Sequence, residues 1–112
     1  MSQIATVEPA KKVEPRQRPK QEPPYHVVLL NDEEHTFEYV IEMMQRLFGY
    51  PQERGYQIAL TVHTEDRAIV LTTTREHAEL KRDQIHAYGA DTRIRGCKGS
   101  MSAVIEPAPE SG

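Results

Sequence analysis

Residues 27–48 read VVLLNDEEHTFEYVIEMMQRLF, and the change of period inside this stretch decides the fold. The first four residues, Val27, Val28, Leu29 and Leu30, are uninterrupted aliphatics. With Tyr25 and His26 ahead of them, they suit a strand at 25–30 that is covered on both faces. Phe37, Val40, Ile41, Met44, Leu47 and Phe48 then recur at three- and four-residue steps, the spacing of one helix face. Glu38, Glu42, Gln45 and Arg46 occupy the opposite face, and Gly49 is a natural stop. Between strand and helix lies a polar turn that begins Asn31-Asp32.

Working outward, Pro51 can open a second helix in which Tyr56, Ala59, Leu60 and His63 follow helical spacing. His63 thus closes an otherwise apolar face. Residues 67–73 read as a second strand through Ala68, Ile69, Val70 and Leu71. Thr73 and Glu76 have the spacing of a capping box for a third helix reaching about Tyr88, with Gly89 as its stop. A short extended piece at 92–95, a turn at 96–99 and a strand at 101–106 complete the chain. The order strand, helix, helix, strand, helix, strand suits an α+β fold, a small antiparallel sheet with three helices packed on one face. Parallel pairing of consecutive strands would need longer crossovers throughout.

The chain has 112 residues, 38% of them hydrophobic and 28% charged. That length allows one domain with a modest core. Residues 1–24 hold five of the eight prolines and almost no apolar periodicity, so burial cannot offset the entropy of ordering them. We expect a disordered extension at 1–24, a core domain at 25–106 and a flexible tail at 107–112. The extension either tethers or engages a partner, or is a plain spacer. No apolar stretch approaches the roughly 18 residues of a membrane helix, and the start of the chain lacks the apolar region of a secretory signal. Both point to a cytoplasmic protein.

Net charge is −3, which argues against a general nucleic-acid binder. Five basic residues against three acidic in 1–24 leave −5 for the remainder. Cys97, the lone cysteine, cannot form an internal disulfide and has no metal-ligand spacing. We expect an inert thiol there and no cofactor.

An α-ammonium group is a cation with three donors, and a protein that reads it needs clustered acceptors. Asn31 offers an amide oxygen, Asp32 a carboxylate and neutral His63 a ring nitrogen. Phe37, Val40, Ile41, Ala59, Val62 and Met101 are candidates for an apolar wall beside them. Each residue also has an ordinary structural explanation. Asn31 and Asp32 are common turn and cap residues, His63 suits a helix end, and the Met43-Met44 pair suits core filling.

The residues gain meaning together, because the chain resembles the ClpS family, adaptors that deliver proteins with destabilising amino-terminal residues to the Clp protease. The likeness covers about 25–106 and rests on VVLLND followed by FEYVIEMMQRLFGY, on Thr61-Val62-His63, and on Ala78-Glu79 with Lys81. It implies a ClpS-like α/β sandwich preceded by a flexible arm. It further implies that Asn31, Asp32 and His63 hold a substrate's free α-amino group while the apolar pocket takes Phe, Leu, Trp or Tyr. Glu76 and Lys81 match positions that contact the amino-terminal domain of a ClpA- or ClpC-type unfoldase; without the resemblance they are an ordinary solvated helix face. The family is typically monomeric, and we expect a monomer here with neither metal nor cofactor.

This chain departs from the family pattern in two places. His35 and Thr36 stand where Thr-Pro is usual, so proline's preset helix-start geometry is absent. Phe37 and Ala59 replace methionines that gate and line the pocket. Those changes motivate an alternative, an unfoldase-binding modulator that does not read amino termini. An enzyme built on Asp32, Glu33, Glu34, His35 and His63 is a third possibility, but no nucleophile motif, zinc-helix motif or phosphate loop accompanies it. If His63 accepts from an ammonium group it must be neutral, so peptide affinity is expected to fall on acidification.

Overall fold

The computed structural model describes residues 22–32 and 34–109. Most of the expected extension and the last three residues of the expected tail therefore lie outside the described residues. Strand β1 (Tyr25–Leu30), helices α1 (Phe37–Phe48) and α2 (Gln52–Glu65), strand β2 (Arg67–Thr73), helix α3 (Arg75–His86) and strand β3 (Ser102–Pro107) follow in order. The three strands form one sheet in the order β2-β1-β3, antiparallel throughout. The α+β architecture expected from the sequence is the one observed.

β1 is central, which explains its unbroken aliphatic run. Val27 and Leu29 join the main core, and Val28 on the other face is fully buried between its cross-strand neighbours. Those neighbours, Ile69 and Val104, are themselves exposed. The register slips between Val27 and Val28, opposite Leu71 and Ile69. This bulge on β2 lets Val70, left unpaired between them, remain fully buried in the core.

Helix α1 begins at Thr36, whose hydroxyl accepts from the Tyr39 amide, and it ends at Gly49 in the left-handed region with φ 72°. The Gly49 and Tyr50 amides close the last carbonyls, at Gln45 and Met44. A residue with a Cβ would be strained there, so glycine terminates the helix where the pattern indicated. The buried face is rotated from the expected one. Tyr39 and Met43 are buried with Val40 and Met44, whereas Phe37, Ile41, Leu47 and Phe48 are only partly covered.

Helix α2 follows after three residues and lies against α1. A Cβ on Gly55 would sit 3.1 Å from the Ile41 Cα, so the missing side chain is what permits this close approach. Ile41 is thereby placed at the α1–α2 crossing. Asp66, at φ 71°, turns the chain from α2 into β2.

Three local expectations need correction. The α3 cap is Thr74, whose hydroxyl accepts from the His77 amide, rather than Thr73 with Glu76. Thr73 belongs to the ladder opposite Tyr25, and pairing holds it in the strand. Residues 92–95 are turn, not strand, because the Ile94 amide returns to the Asp91 carbonyl and the Cys97 amide to that of Ile94. The last strand runs to Pro107 in register with Tyr25, and Ala108, buried, donates to the Pro24 carbonyl. The ordered core thus extends past residue 106.

Candidate functional site

Three segments meet at one end of the sheet: the turn from β1 into α1, the apolar face of α2 and the residue that leads into β3. They enclose a cleft of about 350 Å³. Its apolar wall is Phe37, Val40, Ala59, Val62 and Met101, and its polar residues are Asn31, His35, Thr36 and His63. Val40, Ala59, Val62 and Met101 are all at least nine-tenths buried. Such a volume is at the small end of cavities that take a discrete ligand.

Of the nine residues expected here from the sequence, seven line the cleft. Ile41 does not, because it sits at the α1–α2 crossing. Asp32 does not either. His35 and Thr36 line the cleft and were not among the expected residues; their only sequence signal was the unusual His-Thr pair at the helix start.

Asn31 is anchored on the turn between α2 and β2. Its amide N–H donates to the Asp66 carbonyl at 3.0 Å, and its Nδ2 donates to the Asp66 carboxylate at 3.2 Å. That pairing orients the side-chain amide. His63, near the end of α2, is exposed and makes no hydrogen bond to another described residue. Its ring stands edge-on to Phe37 with centroids 5.7 Å apart, and Tyr56 flanks Phe37 at the same distance. Phe37 is therefore held between two rings at the cleft, in the T-shaped geometry that aromatic quadrupoles favour.

Asp32 is directed to His35. Its carboxylate lies 2.9–3.0 Å from the His35 Nδ1 and also accepts from the Glu34 amide at 2.9 Å. The other ring nitrogen, Nε2, lies 2.8 Å from the Gly99 carbonyl. Only a ring with a proton on each nitrogen satisfies both acceptors. Burial pulls the His35 pKa down, but the Asp32 and Gly99 hydrogen bonds and the charges of Asp32 and Glu34 outweigh it and raise the pKa above the ordinary histidine value. Asp32, Glu34 and His35 offer ligand-type atoms within 4.8 Å of one another, but hydrogen bonds already engage both nitrogens of the ring.

A buried carboxylate, Asp91, fastens the same turn. Asp91 accepts from the Thr36 amide and hydroxyl, both at 2.9 Å, and from Arg93, which also pairs with Glu42 at 2.6 Å. Burial opposes ionisation of Asp91, but the hydrogen bonds from Thr36 and Arg93 prevail and lower its pKa. Asp91 thus holds an amide that proline would not have. Tyr39 packs on His35 at 4.5 Å and donates to the Gly89 carbonyl at 2.5 Å. Burial raises the pKa of its phenol, which stays neutral.

Glu76 and Lys81 lie away from the cleft on α3. Glu76 is exposed in the first turn. Lys81 is partly buried, donating from Nζ to the Leu47 carbonyl at 2.5 Å beside the Phe48 ring. It thereby serves the C-terminal end of α1, where carbonyls lack partners. Five helical positions separate the two residues by about 140° around the axis.

Residues 20–95 match the family described as ATP-dependent Clp protease adaptor protein ClpS. The ATP-dependent Clp protease adapter protein ClpS of Pectobacterium carotovorum is 40% identical over 78 residues, which cover 68% of this chain and 74% of that one. The protein of the same name from Vibrio cholerae is 43% identical over 67 residues, 60% of this chain and 63% of that one. Among solved structures, Agrobacterium tumefaciens ClpS2 bound to L-phenylalaninamide superposes with a TM-score of 0.68 over 79% of this chain and 100% of that one, at 24% identity. That likeness is one of fold.

Proposed function

The chain belongs to the ClpS family of Clp protease adaptors, and from that membership we propose that it is a cytoplasmic, non-catalytic adaptor that captures amino-terminal degrons at the cleft. The observation that carries this reading is the placement of Asn31 and His63 beside an apolar cleft of about 350 Å³. Asn31 and neutral His63 are acceptors for an ammonium group, and Phe37, Val40, Ala59, Val62 and Met101 surround a large apolar first side chain. Phe, Leu, Tyr and Trp are the candidates. Asp32 adds negative charge behind the rim.

The partner we propose is the amino-terminal domain of a ClpA- or ClpC-type unfoldase, bound by the α3 region around Glu76 and Lys81, with the adaptor acting as a monomer. The test of the cleft is fluorescence anisotropy with a labelled peptide beginning with free Phe and the same peptide acetylated. Selective binding of the free amine is expected, since acetylation removes the charge and two donors. Equal binding of both peptides would sink the assignment.

One feature supports a second reading, an unfoldase-binding modulator without degron capture. Phe37 is clasped between Tyr56 and His63, and a rigid ring there narrows entry in a way a flexible side chain would not. Pull-down of the unfoldase domain by a protein that binds no peptide beginning with free Phe, Leu, Tyr or Trp would establish that reading.

A further inference from the structure

The turn that carries Asn31 also carries a histidine whose two ring nitrogens both face acceptors. His35 has a side chain only 2% exposed, and both its nitrogens face acceptors. On its own turn it meets Asp32 and Glu34. From the segment between α3 and β3 it meets the Gly99 carbonyl and the Cys97 thiol, whose sulfur lies 3.5 Å from Nε2. From α1 it meets the neutral Tyr39 ring. His35 lines the cleft and Asp32 does not.

Resting on the degron reading above, we infer that His35 is an internal counter-ion of Asp32 that competes with a bound peptide's ammonium group, so that one proton on His35 attenuates affinity for free amino termini. With His35 charged, the Asp32 carboxylate beside Asn31 in the same turn is already neutralised, and an arriving ammonium meets a like charge across the rim. Like charges facing each other in a partly solvated site are expected to change affinity about tenfold, roughly 1.4 kcal/mol. Loss of the His35 proton leaves Asp32 unneutralised. Binding and protonation are therefore linked, and the ligand must lower the His35 pKa by the same free energy that the His35 proton costs the ligand.

Two measurements on the full chain test this. The first follows the His35 ring nitrogens by NMR through a pH titration of the wild type, alone, with the free Phe peptide and with its acetylated form. The free protein is expected to titrate above the ordinary histidine range, the free-amine peptide to move that titration downward, and the acetylated peptide to leave it in place. The second is anisotropy from about pH 5.5 to about 9 with wild type and His35→Gln, which keeps a donor for Gly99 but carries no charge, each affinity being referred to the protonated fraction of the peptide's amine. His35→Gln is expected to bind about three- to tenfold tighter near neutrality, an advantage that vanishes where the wild-type ring is neutral.

A merely structural histidine predicts weaker binding on substitution, never tighter. Equal or weaker binding by a folded His35→Gln protein overturns the inference, as does a His35 titration that ignores bound peptide. The NMR arm stands even if the variant fails to fold. Absence of binding by either protein at every pH overturns the degron reading and this inference with it; equal binding by both overturns the inference alone.

Discussion

Two histidines at the cleft take opposite positions. His63 sits on the outer edge of α2, exposed, touching the Phe37 ring and no hydrogen-bonding group among the described residues. His35 is enclosed, bonded at both nitrogens, and ties the start of α1 to a segment 64 positions away. The same side chain is thus an available acceptor in one place and an internal donor in the other. The difference teaches that an imidazole's role follows from what surrounds its two nitrogens rather than from its nearness to a ligand.

The largest expected effect breaks the anchored side alone. Asp91→Ala strands the Thr36 amide and hydroxyl and half-frees Arg93, so we expect a loss of about 2–3 kcal/mol in urea unfolding. The loss should shrink toward acid. Because the folded-state pKa of Asp91 is lowered, its contribution is complete above the ordinary carboxylate value and disappears as pH falls through the lowered one. If Asp91→Ala instead weakens peptide binding without lowering stability, the anchoring account fails.

The open side is broken by His63→Ala. One hydrogen bond to a charged group is removed from an exposed position, so peptide affinity should drop about tenfold, roughly 1.4 kcal/mol. The thermal midpoint should hardly move. A shifted midpoint with unchanged affinity would reverse the roles assigned to the two histidines.

Asp32→Ala sharpens the contrast with a smaller effect. While His35 is charged the carboxylate is largely neutralised, so the substitution should weaken peptide binding only about threefold at neutral pH. The cost should grow as pH rises past neutrality, with affinity referred to the protonated fraction of the peptide's amine. A cost independent of pH would mean that the ligand reads Asp32 directly.

The smallest effect is on stability. The raised pKa of His35 means that its contribution is fully present below the ordinary histidine value and is lost as pH rises through the raised one. Wild-type denaturation midpoints should therefore decline across that window, whereas those of His35→Gln should not. Parallel pH curves for the two proteins would show that the ring is not an ion pair in the folded state.

The elements themselves were legible because their signals are local. The aliphatic run before Asn31, the three-and-four spacing after Phe37 and the stop at Gly49 each act within a few residues. The bounds of β1 and β2 coincide with the expected ones. The α3 cap slipped by one residue because Thr73 and Thr74 are chemically equivalent and only cross-strand pairing separates them. The buried face of α1 was only partly legible: the Met43-Met44 pair read as core filling, but Tyr39 joins an apolar ring to a polar hydroxyl, and its burial is decided by His35, Tyr88 and Gly89.

The site divides in the same way. Asn31, His63 and most of the apolar wall could be chosen from residue type and spacing, since a cluster of acceptors beside an apolar helix face is written in neighbouring residues. The enclosure of His35 and the hold of Asp91 on Thr36 could not, because their partners lie 55 to 64 positions apart along the chain; Asp32 meets His35 only three residues on, but the contacts that place that ring are the distant ones. Sequence alone determined the sheet, the helices and which side chains could accept an amino terminus, through periodicity and local backbone chemistry. Only the tertiary structure decided which of those acceptors is already engaged, because a hydrogen-bond partner is set by proximity in space.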